Sequence, residues 1–95
     1  MKGIFCQIVL EVLVREGLGI EPNCLAELNR LIDRVLDRRG RELLMRETFV
    51  RAVADFEQFL ARMVEEARAT GAGRLHEGTF ARARQRCGLI FWCEA

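Results

Sequence analysis

Polar residues recur every fourth position at the start of the chain. In "IFCQIVLEVLVRE" they are Gln7, Glu11 and Arg15. A four-residue beat marks one side of a helix, whereas a strand alternates with period two. The spacing predicts a helix over 4–15, with its remaining faces apolar and buried, stopped by Gly17 and Gly19. In "GIEPNCLAELNRLIDRVLDRRG", Pro22 is a breaker and Asn23 a candidate N-cap. Leu25, Leu28, Ile32 and Val35 then recur at spacings of three and four, with Glu27, Arg30, Arg34 and Asp37 facing away. Gly40 stands where a C′ glycine belongs. This predicts a helix of about four turns.

Residues 42–69 hold neither Pro nor Gly. Phe49, Val53, Phe56, Leu60, Met63 and Ala67 form one stripe, and Val50, Ala54 and Ala61 are apolar off it. A helix over this whole stretch would be roughly 42 Å long. Two apolar faces imply packing both within the chain and against another chain. Thr70 and Gly71 stop it. A short helix then starts near Thr79 or Phe80 and runs to about Cys87, where Gly88 breaks it. "LIFWCEA" closes the chain as an apolar plug with Trp92 as its packing anchor. The pattern is all-α: about four helices in a single domain over 1–95, with no repeat, low-complexity segment or linker.

Composition sharpens this picture in three ways. A chain of 95 residues buries only roughly 60 % of its unfolded surface and is marginal by itself. Yet 51% of its residues are hydrophobic, so some apolar surface should meet a partner. The run from Ile4 to Val14 falls short of the about 20 residues a membrane span needs. One lysine before it and no small-residue cleavage site after it argue against a signal peptide. Four cysteines in that context suggest reduced thiols in a cytosol or nucleus.

The net charge of +1 excludes little, but its distribution is uneven. Residues 28–51 carry seven Arg against four acidic residues, and Lys2 is the only lysine. Arginine suits bidentate contact with phosphate or carboxylate, although GC-rich codon usage yields the same bias. "DRRGR" gathers Arg38, Arg39 and Arg41 around Gly40 in one loop, with Arg34, Arg46 and Arg51 close in sequence. Such a cluster can hold phosphates in a salt-sensitive, sequence-blind way, or be a solvated loop.

Other chemistry finds less. "GRLHEGTF" has Gly73 and Gly78 at P-loop spacing, but Thr79 stands where lysine is required and a helix precedes the motif instead of a strand. Cys6, Cys24, Cys87, Cys93 and His76 contain no C-x-x-C, and Cys87 and Cys93 would fall about 120° apart on a helix. Cysteine is often a small buried hydrophobe. No metal site and no cofactor are expected. Nothing brings a cysteine to His76 as a nucleophile–base pair. Asp55, Glu57, Glu65 and Glu66 alternate with arginine like a solvated face. No catalytic residue is expected, and the chain does not read as an enzyme.

One further pattern stands out. A moderate helix, a loop, a long helix, a second loop and a short helix over residues 25–92 resemble the histone fold. "FLARMVEEARATGAGRLHEGTFARARQRC" looks like the end of that family's long helix, its second loop and its last helix. Ala67 falls at a small helix residue and Arg74 at the loop arginine. Leu75, Phe80 and Ala83 match an apolar-x4-apolar-x2-Ala spacing, and "LIFW" resembles a hydrophobic tail. His76 replaces the usual Ser or Thr. Thr79 replaces an Asp that would clamp the arginine. Helix 4–15 is an addition.

The resemblance implies a dimer whose long helices cross, with Phe49, Val53, Phe56, Leu60 and Met63 at the interface. It implies loop-to-loop pairing between chains that sets Arg38, Arg39 and Arg41 beside the other chain's Arg74 to hold duplex DNA backbone. The implied partner is a second copy or a related helical subunit, and duplex DNA. No membrane or small-molecule substrate is evident. The alternative is a helical adaptor that docks onto protein with no nucleic acid.

Overall fold

The computed structural model describes residues 1–86 and 90–93. It is mostly helical. Helix α1 spans Lys2–Glu16 and α2 spans Pro22–Arg39, followed by a short 3-10 turn at Glu42–Leu44. The long helix α3 covers Arg46–Ala69, α4 covers Glu77–Gln85 and α5 covers Ile90–Cys93. Two two-residue strands, β1 (Gly19–Ile20) and β2 (Arg74–Leu75), pair in parallel within the chain.

The strands exist because α1 and α3 end in the same way. Gly17 and Gly71 take positive φ of 66° and 71°, a region where glycine carries no Cβ penalty. Leu18 N–H then donates to the Leu13 carbonyl at 3.0 Å and Gly17 N–H to that of Val14 at 3.2 Å. Ala72 N–H donates to Ala67 at 2.9 Å and Gly71 N–H to Arg68 at 3.1 Å. Both ends are Schellman motifs, and both turn the chain the same way into an extended segment. The ladder between the segments runs from Gly19 N–H to the Gly73 carbonyl (3.4 Å) and from Glu21 N–H to that of Leu75 (2.8 Å). The sequence carries no visible repeat, yet the fold uses helix, Schellman turn, strand and helix twice.

The core lies between α3 and the other helices. Phe5, Phe56 and Trp92 are buried and meet with ring centroids 4.6 to 5.5 Å apart. Phe59 and Phe80 make a second edge-to-face pair at 5.6 Å. Trp92 is the packing anchor expected: its indole N–H donates to the Ala52 carbonyl at 2.6 Å. That bond satisfies the polar edge of a buried ring.

Four helix details differ from expectation. Helix α2 starts at Pro22 with Glu21 as its N-cap residue, not at Asn23; proline's fixed φ and missing N–H suit a first turn. Gly40 is right-handed (φ −59°), so it is no C′ glycine. An added Cβ there would strike the Leu36 carbonyl oxygen. The long helix begins at Arg46 because Met45 is extended, which sets the 3-10 turn apart. The short helix starts at Glu77, and its expected end at Cys87 and Gly88 lies outside the described residues.

Candidate functional site

Three surfaces could carry function. The first is the β-bridge end. Arg74, exposed, pairs with Glu21 at 2.9 Å. This gives the loop arginine the acidic partner that Thr79 could not supply. Thr79 is buried: its Oγ1 accepts from His76 N–H at 3.1 Å, while His76 Nδ1 accepts from Gly78 N–H at 3.1 Å. These reciprocal bonds form a capping box that starts α4. His76 is therefore the cap of α4, with its Nδ1 as the acceptor.

Behind that turn, Glu66 on α3 is 8 % exposed, not part of a solvated face. It takes a hydrogen bond from Arg82 Nε at 3.1 Å and another from Arg86 Nη1. The Arg86 bond is the main cause that holds its carboxyl below the ordinary value; burial works the other way, and Arg82 adds to the lowering. The trio fastens α4 to α3.

The second surface is the corner between α2 and α3. Arg38 and Arg41 are exposed there, but Arg39 is committed to the fold. Its guanidinium lies 3.8 Å from the centre of the Phe91 ring, donates to the Phe91 carbonyl at 2.9 Å and forks onto Glu42. Leu44, Met45 and Val50 are exposed around the same corner. Arg74 sits at the other end of α2, whose 18 residues make a helix roughly 27 Å long. Within one chain, Arg38 and Arg41 are thus together, Arg39 is occupied, and Arg74 is remote.

The stripe assigned to a partner helix is taken up by the chain itself. Phe56, Leu60 and Met63 are fully buried, and Phe49 and Val53 pack partly buried against the same core. Helices α1, α4 and α5 supply the cover that a second long helix would have given.

The third surface was not foreseen. The faces of α1 beside the polar beat were expected to be buried, but Ile4, Leu10 and Val14 are exposed. Leu25 of α2 is exposed too, its inward place taken by Cys24 and Leu31. Between α1 and α2 runs an apolar groove of about 260 Å³, lined by Val9, Leu10, Leu13, Ile20, Leu25 and Leu28 among others. The signal available in the sequence was the excess of apolar residues on a helix that has one neighbouring layer to pack against.

Among the described residues no three His, Cys, Asp or Glu side chains gather as metal ligands. Cys24 is buried and its thiol is pushed up to about 12, first by burial and then by Glu21, Glu27 and Glu77. It is a poor nucleophile near neutrality. Cys6 is a free, half-buried thiol whose Sγ lies 3.9 Å from Asn29 Oδ1. Cys93 is disulfide-bonded, so the expectation of four reduced thiols fails at that residue. Cys87 lies outside the described residues. No helix among those residues is long and apolar enough to cross a membrane.

Comparison with protein-family models, with curated proteins and with solved structures finds no match to this chain.

Proposed function

We propose that this chain is a helical adaptor that acts by docking onto protein. The observation that carries the reading is the exposed apolar surface. Leu10, Val14 and Leu25 are open on the α1 side, and Leu44, Met45 and Val50 at the corner, although the core is already filled with aromatic and aliphatic side chains. Apolar surface of this kind on a small domain marks interaction sites. The reading invokes no catalytic step and no cofactor.

The test is affinity capture with the wild-type chain beside Val14→Glu and Met45→Glu. A stoichiometric partner lost in one of these folded variants supports the adaptor. Capture of the same proteins by all three chains overturns it.

Duplex DNA contact is the second reading, favoured by the exposed Arg38 and Arg41 with Arg46 and Arg51 near them. It uses fewer arginines than the histone resemblance implies, since Arg39 grips Phe91 and Arg74 pairs with Glu21. A histone-type handshake through Phe49, Val53, Phe56, Leu60 and Met63 draws no support from the packing, because those side chains serve the chain's own core. Gel shift in a salt series decides the DNA reading. Retention at about 50 mM salt that falls steeply with salt and is lost in Arg38→Ala/Arg41→Ala supports it. No retention at that salt removes it.

A further inference from the structure

Helix α1 presents a face with its own complement. Successive helical residues turn by about 100°, so Gln7, Leu10, Glu11, Val14 and Arg15 share the outward side. Val14 is 82% exposed and Leu10 57%, far beyond what a satisfied helix face shows. Across the shallow groove, Leu25 of α2 is 41% exposed and extends the apolar strip. On the opposite edge of the same face stand Glu11 and Arg15, one turn apart. Glu11 forms no ion pair among the described residues, and Arg15 reaches only its neighbour Glu16, at 3.4 Å on the surface.

We propose that two copies of this chain associate through the outer face of α1, with the two α1 helices antiparallel. Val14 lies at the centre with Leu10 beside it, and Glu11 of each copy pairs with Arg15 of the other. The proposal rests on reading the α1 face as a docking surface and names its occupant.

Charge order selects the orientation. A two-fold axis across the helix, level with residue 13, reverses the order of residues along α1 but keeps each edge beside the same edge. Glu11 then meets Arg15 of the second copy, and the reverse, giving two equal pairs as an isologous interface requires. A parallel two-fold pair would instead set the charged edge of each copy against the apolar edge of the other, so Glu11 and Arg15 would find no partner. The same axis brings the two Val14 side chains within about one turn of each other. The apolar strip of Leu10 and Leu25 then lies along one edge of the contact and the charges along the other. One helix face buries less than the roughly 800 Å² per partner of a standard interface. The dimer is therefore weak and concentration-dependent.

Sedimentation equilibrium of the whole chain from about 10 µM to about 1 mM tests this, with circular dichroism to check folding. Val14 is exposed, so Val14→Glu should fold and stay monomeric. Glu11→Arg and Arg15→Glu should each weaken association on the order of tenfold at low salt. Mixed one to one, these two variants should form a heterodimer tighter than either homodimer. The double exchange, Glu11→Arg with Arg15→Glu, should restore the wild-type constant. A wild-type chain that stays monomeric across the range overturns the self-pairing, and the face then belongs to a different protein. That failure leaves the adaptor reading standing, because Val14-dependent capture tests it separately. A dimer indifferent to Val14→Glu and to both charge variants also overturns the proposal.

Discussion

The Arg39 guanidinium carbon lies over the Phe91 ring, 3.8 Å from its centre, while its Nη1 bonds the Phe91 carbonyl at 2.9 Å. One side chain thus ties the end of α2 to α5, 52 residues further along. Glu42 holds the other edge of the guanidinium at 3.0 Å. Arg39→Ala should cost about 1–2 kcal/mol, combining a cation–π contact and a charge-assisted hydrogen bond. Arg39→Lys should recover only part of this, because an ammonium lacks the planar fork. Urea unfolding followed by the emission of Trp92, the single tryptophan, checks both variants and reports on α5 itself. Unchanged midpoints for both variants would remove the clamp.

Trp92 sits between Phe5 at 4.9 Å and Phe56 at 4.6 Å and is fully buried. Truncating it leaves a cavity under three elements and orphans the Ala52 contact. Trp92→Ala should cost about 3–5 kcal/mol. Small domains hold only about 5–15 kcal/mol in total, so the variant should lose a large share of its stability and melt well below the wild-type chain. Thermal unfolding by circular dichroism measures it, and a shift of only a few degrees would mean that the plug is dispensable.

Glu66 supplies a pH test. Its carboxyl ionises below the usual 4.5 in the folded chain, chiefly through the Arg86 hydrogen bond. A depressed folded value means that its stabilisation is fully present above 4.5 and is lost as pH falls below it. Glu66→Gln should lower the melting temperature at pH 7, and by progressively less as pH falls below 4.5. The melting curves of the two chains should therefore converge on acidification. An equal difference at every pH would show that the charge plays no part.

The helices were legible in the sequence because periodicity is a local property. Gln7, Glu11 and Arg15 marked α1, and Phe49 to Ala67 marked α3, with Gly17 and Gly71 at the ends. What covers each face is not local. The stripe on α3 reads the same whether a second chain or the chain's own α1 and α5 lies on it. Arg74 found its acid at Glu21, 53 positions away through a two-residue bridge too short to leave a strand pattern. Glu66 looked solvated because its neighbours are polar, and only the return of α4 brought Arg82 and Arg86 over it. The exposed side of α1 was missed for the converse reason: apolar residues signal burial, but not how many of them find a partner.

The two glycines that flank the second turn separate conformational from steric demand. Gly71 holds φ of 71° with open space around it, and Gly73 has open space and no positive φ. Gly71→Ala forces an L-residue into the left-handed region and should cost about 1–2 kcal/mol. Gly73→Ala meets no such barrier and should be neutral or stabilise by about 0.5 kcal/mol through the unfolded chain. Chemical denaturation of the two variants side by side checks this, and equal effects would contradict the Schellman reading of the turn.

Cys24 makes the last test, on the alkaline side. Its thiol is raised from 9.0 to about 12, with burial the first cause. A raised folded value means that the contribution is whole below 9.0 and is lost as pH climbs from 9.0 toward 12. Stability should therefore fall across that window, and Cys24→Ala should flatten the fall. The same shift cuts the thiolate fraction at pH 8 on the order of a thousandfold relative to a free thiol. Iodoacetamide should then label the half-buried Cys6 first and Cys24 only through global unfolding. Mass mapping of the alkylated sites over time reads this directly. Labelling of Cys24 as fast as Cys6, in a chain that stays folded, would mean that the thiol is reached through local opening of α2.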